Sequence, residues 1–227
     1  MRFFYVLPIV FLSCIAGFSQ TAPLPSRFQS WNEIQLLVPL LKGRDAKGKS
    51  IDKMTATFNG VLRIGRSSLD FLDNRTGATL DWRVNRHLSL LTGVLYRRDE
   101  IVKNTPRFET RLDVGATFSK TFHDFSFRDR NLFEHRFRRG RIDLNLYRQR
   151  IQVSRPVKFN KKELFSPFIS DEGYYDWRLK SWFQNEFYAG ITRRLNRQTS
   201  IDIAYLRSDT RPVNVNGISF NLKIKLR

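Results

Sequence analysis

The chain has 227 residues, with 40 Lys and Arg against 21 Asp and Glu for a formal net charge of +19; this is enough for one domain and too little for two comfortable cores. So basic a balance calls for an anionic counterpart: nucleic acid, a lipid surface, an acidic solute or an internally paired interior. The only cysteine is Cys14, which leaves no thiolate metal site and no disulfide for the rest of the chain.

In chain order, residues 1–20 combine Arg2, an apolar run from Phe3 to Leu12, and the small residues Ala16, Gly17 and Ser19 before Gln20. That pattern reads as a cleavable secretory signal, too short for the roughly 20 apolar residues of a membrane anchor. Cys14 as a lipidated first residue is the rival reading, but Phe11-Leu12-Ser13 is a poor match to a lipoprotein cleavage site. Residues 21–227 are then expected to form a single domain. Export removes nucleic acid as a partner and leaves lipid, lipopolysaccharide or an anionic solute.

Beyond residue 20 the dominant signal is period-2 alternation, the mark of strands with one apolar face. Ala78, Leu80, Trp82 and Val84 alternate with Thr79, Asp81, Arg83 and Asn85. Phe108, Leu112, Val114 and Phe118 interleave with Glu109, Arg111, Asp113 and Thr117. Phe125, Phe127, Phe133 and Phe137 share a face with Asp129, Asn131 and His135, opposite Arg128, Arg130, Glu134, Arg136 and Arg138. Ile142, Leu144 and Leu146 read as another apolar face opposite Asn145, Tyr147 and Gln149. Phe183, Phe187 and Ile191 oppose Gln184, Glu186 and Tyr188, and Ile218, Phe220, Leu222 and Ile224 oppose Asn221, Lys223 and Lys225.

Eleven strands are predicted, at 31–41, 52–65, 77–85, 87–98, 107–119, 123–138, 141–155, 162–171, 180–195, 199–207 and 217–226. Turn residues place loops at Gly43 to Ser50, Asp73 to Gly77, Asn104 to Pro106, Asp171 to Asp176, Asn196 to Gln198 and Arg211 to Gly217. The expected fold is all-β: a single up-and-down antiparallel transmembrane barrel. Because bacterial single-chain barrels normally have an even strand number, eleven is read as ten to twelve, with twelve favoured.

A soluble sandwich also alternates. A membrane barrel is preferred because the strands are long, because closure removes exposed edges, and because Trp31, Tyr96, Tyr174, Tyr175, Trp177, Trp182 and Tyr205 read as interfacial girdles. With the apolar faces towards lipid, Arg83, Arg111, Arg128, Arg130, Arg136, Arg138, Lys223 and Lys225 point into the lumen. Their structural role is an ion-pair network with Asp81, Glu109, Asp113, Glu134, Glu186 and Asp202. Their alternative role is a pathway for small acidic solutes.

Four stretches carry a family resemblance: Trp31-Asn32-Glu33, Asn131 to Phe137 with its Glu134-His135-Arg136-Phe137 core, Ser170-Asp171-Glu172, and Gln184 to Gly190. Together they resemble the outer-membrane barrel family called domain of unknown function 2490. It has a tryptophan near the mature start, a central Glu-x-Arg-Phe element, a later acidic residue and an Asn-Arg-x-x-x-Gly element. The chain departs from that pattern at Glu186, which stands where the family would have arginine. The resemblance implies fold and outer-membrane location, with the barrel-assembly machinery as a partner during insertion, and implies no activity.

No Gly-x-Ser-x-Gly or His-Glu-x-x-His element is present. His87 and His123 fall in turns and His135 on an apolar face, so no catalytic, metal or cofactor site is expected. A membrane-embedded lipid hydrolase remains the third alternative.

Overall fold

The computed structural model describes residues 26–45, 48–65, 70–102, 105–160, 162–210 and 213–226; the expected signal at 1–20 lies outside them. The described residues form twelve strands and no helix: β1 (Ser26–Arg44), β2 (Ser50–Gly65), β3 (Asp70–Arg83), β4 (Leu88–Val102), β5 (Thr105–Phe122), β6 (Phe125–Arg138), β7 (Leu144–Ser154), β8 (Val157–Phe159), β9 (Lys162–Asp176), β10 (Ser181–Arg194), β11 (Thr199–Thr210) and β12 (Val213–Lys225). Each of the eleven predicted segments falls on one long strand. The twelfth, β8, is a three-residue piece paired with β9 alone. It is the tip of the β7–β9 hairpin, cut off where Pro156 removes a ladder donor.

Eleven strands therefore make the wall. Neighbours in the chain pair antiparallel, β7 passes to β9, and β9 pairs with β10. In a meander with an odd number of staves the first and last run the same way, so closure needs one parallel ladder. It joins β1 to β12, from Ser26 opposite Asn214 to Leu37 opposite Lys225. The even closure expected for bacterial barrels is not adopted.

The chain turns back after Arg44, Arg83, Phe122, Ser154 and Arg194 at one end, here the upper, and after Arg138 and Asp176 at the lower end, where β1 begins. Several residues read as turns are strand. Asp73 to Gly77 is inside β3, Asp171 to Asp176 inside β9, Thr105 and Pro106 open β5, and Val213 to Gly217 belong to β12. Their turn-forming side chains are held by partners from other strands: Asp73 by Arg97 at 3.0 Å, and Asp171 by Asn185 at 3.0 Å. Tertiary pairing overrides the local preference for a turn.

The predicted faces hold on β3, β5, β6 and β12: Trp82, Leu112, Val114, Phe133, Phe137, Ile218 and Phe220 are exposed on the outside, while Glu109, Arg111, Glu134 and Arg136 are buried inside. On β7 the reading is reversed. Leu144 and Leu146 are buried in the lumen, on the face that also carries Arg148 and Arg150. Asn145, Tyr147 and Gln149 face outward, where they join a hydrogen-bonded polar strip. In it Gln149 donates to Asp129 (3.3 Å), Tyr147 to Asn131, and Asn185 to Asp171. Alternation alone does not say which face is inside when both faces mix polar and apolar residues.

Two of the expected girdle aromatics also point inward. Trp31 and Tyr174 are buried in the lumen, whereas Tyr96, Trp177, Trp182 and Tyr205 are exposed outside and Tyr175 stacks edge-on against Trp177 and Trp182. A bulge between Trp182 and Gln184 shifts the β10 register and sets Phe183 edge-on to Tyr174.

The parallel seam leaves no room for a side chain at Gly217, where a Cβ would stand 2.1 Å from the Gln29 carbonyl oxygen. Gly217→Val is expected to lower barrel stability by about 1–3 kcal/mol, the usual range for overpacking, read from the urea midpoint of tryptophan fluorescence.

Candidate functional site in the lumen

Inward positions of seven staves, β2 to β7 and β9, bring charges together in the lower half of the barrel. Glu172 on β9 and Glu134 on β6 are both 0 % exposed. Glu172 accepts from Arg130 and Arg148 at 2.9 Å each and from Arg150 through Nε and Nη2. Glu134 accepts from the other fork of Arg148 and from Arg136, both at 2.5 Å. Arg148 thus ties the two carboxylates together, using the planar guanidinium as a double donor.

The chain of contacts continues round the wall. Arg111 pairs with Glu109 at 2.6 Å and lies 3.7 Å from Glu134. Arg97 reaches Asp73 at 3.0 Å, Asp99 at 3.5 Å and Glu109 at 4.0 Å. Arg107 closes on Asp99, and Arg75 and Arg63 on Asp73. Nine arginines and five carboxylates form one connected band; Asp113, Asp176 and Glu186, buried or half-buried on the same inner wall, bring its balance close to neutral.

Aromatic rings complete the packing. The Arg63 guanidinium lies 3.3 Å from the Trp31 ring centre, Trp31 meets Tyr188 edge-on, and Arg148 and Arg150 lie over Tyr174 and Tyr188. On Arg148 and Arg150 these cation–π contacts occupy guanidinium faces left free by the in-plane hydrogen bonds. Glu186 accepts from Gln184 at 2.7 Å and Tyr188 at 2.8 Å. A carboxylate standing where the family pattern has arginine is thus met by neutral donors.

Of the residues singled out in the sequence, Arg111, Arg130, Glu134 and Arg136 belong to the band and Glu186 adjoins it. Lys223 pairs with Asp202 at 2.6 Å and Lys225 with Asp52, both towards the upper end. Arg138 sits at the lower rim, donating to the Ile142 carbonyl. Arg83 is exposed at the upper end of β3 and joins no ion pair among the described residues. Arg128 stands above the band, in the open upper lumen.

Alternation in the sequence did not point to Arg63, Arg75, Arg97, Arg107, Arg148 and Arg150 or to the acids Asp73 and Asp99, and Glu172 was marked only by the family resemblance, within Ser170-Asp171-Glu172. Asp73 and Glu172 were hidden in stretches that look like turns. Arg148 and Arg150 were detectable by parity, since they sit opposite Leu132 and Arg130, but the leucines that share their face pointed the wrong way. His87 bonds the Ser119 carbonyl and His135 bonds Asn145 on the outer face. No group of three or more potential metal ligands occurs among the described residues.

The family model described as "Protein of unknown function (DUF2490)" matches residues 28–214. The chain belongs to this family. Each of the four stretches that carry the resemblance, Trp31 to Glu33, Asn131 to Phe137, Ser170 to Glu172 and Gln184 to Gly190, places a buried side chain on the inner wall: Trp31, Glu134 with Arg136, Glu172 and Glu186. Among solved structures, the anion-selective porin from Comamonas acidovorans is similar at 13% identity and a TM-score of 0.36, over 78% of this chain and 58% of the porin chain. A search of the curated proteins gave no match.

Removing one partner from a buried ion pair strands the other. Glu172→Gln is therefore expected to cost about 3–5 kcal/mol of unfolding free energy, whereas Arg83→Gln stays within about 0.5 kcal/mol. Urea titration of the refolded barrel compares the two.

Proposed function

We propose that this chain is an outer-membrane barrel of a Gram-negative cell, exported by its first 20 residues and without catalytic activity, whose lumen is sealed across its lower half. The observation that carries the reading is inverted polarity. Charged residues are paired inside, while large apolar side chains such as Ile34, Phe58, Val94, Val114, Ile169 and Ile203 stand exposed outside, on ten of the eleven staves. A soluble monomer rarely exposes more than a few hundred Å² of contiguous apolar surface, and a closed barrel leaves no unpaired backbone edge to lipid. Full burial of Glu134 and Glu172 supports the seal, because a carboxylate lining a water-filled pore would be wetted.

The partners that fit are outer-membrane lipid and lipopolysaccharide, met by exposed upper-rim cations such as Lys42, Arg155, Arg193 and Arg197, and the assembly machinery during insertion. Nucleic acid is not among them. A second reading, a narrow anion-selective channel for small acidic solutes, draws on Arg128, whose guanidinium makes no ion pair among the described residues.

The barrel is expected to fractionate with the outer membrane and to give no single-channel conductance in planar bilayers. Recovery as a soluble periplasmic protein would sink the location. Discrete anion-selective openings that shrink when Arg128, Arg130 and Arg136 are neutralised would replace the sealed barrel with the channel.

A further inference from the structure

Above the ion-pair band the inner wall changes character. Ser119, Arg128 and Gln152 lie side by side across β5, β6 and β7, and one step nearer the mouth Thr121, Ser126 and Ser154 do the same. With Arg86 and His87 of the β3–β4 turn they bound a cavity of about 420 Å³ that no carboxylate lines, a size within the usual range of about 300–1,000 Å³ for small-molecule sites. The turn is fixed over the cavity: the Ser119 amide donates to the His87 carbonyl at 2.7 Å, and His87 Nδ1 meets the Ser119 carbonyl at 2.9 Å.

The two arginines here differ from those below. Arg130, two residues along β6 from Arg128, is bound to Glu172, but neither Arg86 nor Arg128 makes an ion pair among the described residues. Asp81 acts on Arg128 from β3 without contacting it. Guanidinium groups without partners, set among hydroxyls and an amide, form a donor-rich wall. Such a wall suits an oxyanion, which takes two parallel guanidinium hydrogen bonds, on a molecule whose own hydroxyls can use the serines and Gln152.

We infer that the upper lumen is a binding vestibule for a small hydroxylated solute carrying one carboxylate or phosphate group, with Arg128 as its anchor. The solute enters and leaves through the upper mouth. The site stands whether or not the lower lumen conducts, because none of its residues belongs to the band.

Calorimetric titration of the whole exported chain in detergent micelles, with glucose 6-phosphate, gluconate and glucose as probes, tests this. Both anions are expected to bind, and glucose at least about tenfold more weakly, as befits the loss of a charge-assisted pair. Arg128→Gln should weaken glucose 6-phosphate by about tenfold or more, with Arg128→Lys retaining part of the affinity. Arg83→Gln, which removes the same charge at the same end outside the cavity, should change it less than about twofold. Unchanged gel mobility of the unheated proteins establishes that the variants fold. Binding of glucose as tight as that of the anions, no binding by either anion, no effect of Arg128→Gln, or an equal loss in Arg83→Gln would each overturn the site.

Discussion

A charge enclosed by a barrel wall must find a partner or water, and the lower lumen is organised by the first of these. Five carboxylates there are each shared by two or more arginines, at least one of them from a neighbouring or facing stave. The strand registers that align them are fixed in the same stroke, because a one-residue slip would turn every guanidinium outward. Such a band adds little net stability compared with an apolar filling, yet any misregistered arrangement would leave charges stranded. It therefore selects one closure out of many that the alternating pattern would allow.

That closure is odd-numbered. Eleven staves leave one parallel ladder, slightly weaker per residue than the antiparallel ones, and set the start of β1 and the end of β12 at opposite ends of the barrel. The wall is also uneven outside. From β6 to β10 a polar strip of Asp129, Asn131, Gln149, Asp171 and Asn185 interrupts the apolar exterior, its groups satisfied mainly by one another. On β7 the strip outside coincides with Leu144 and Leu146 inside, so this stave exchanges part of its polarity with the lumen.

The two halves of the lumen divide the possible functions between them. Below, each arginine and carboxylate of the band is ion-paired within it, and aromatic rings lie on several guanidinium faces. Above, on β5, β6 and β7, carboxylates give way to hydroxyls and an amide, and Arg128 keeps its hydrogen-bonding capacity. A few residues along β6, from Glu134 to Arg128, separate a structural use of arginine from one suited to recognition.

Much of the fold was legible in the residues themselves. Period-2 alternation over 107–118 and 125–138 located strands and their inner faces, since side chains of a strand must point to opposite sides and this chain places phenylalanine on one and charge on the other. Arg111, Arg130, Glu134 and Arg136 followed from that parity alone. Three things were decided only in three dimensions. The number of staves depended on which strand ends meet, the inner face of β7 on which neighbours its residues find, and the carboxylates of the band on Asp73 and Glu172 being drawn out of apparent turns by arginines distant in the chain. Alternation is a local property carried by each strand alone. Closure and charge pairing are properties of strands brought side by side, and so belong to the barrel.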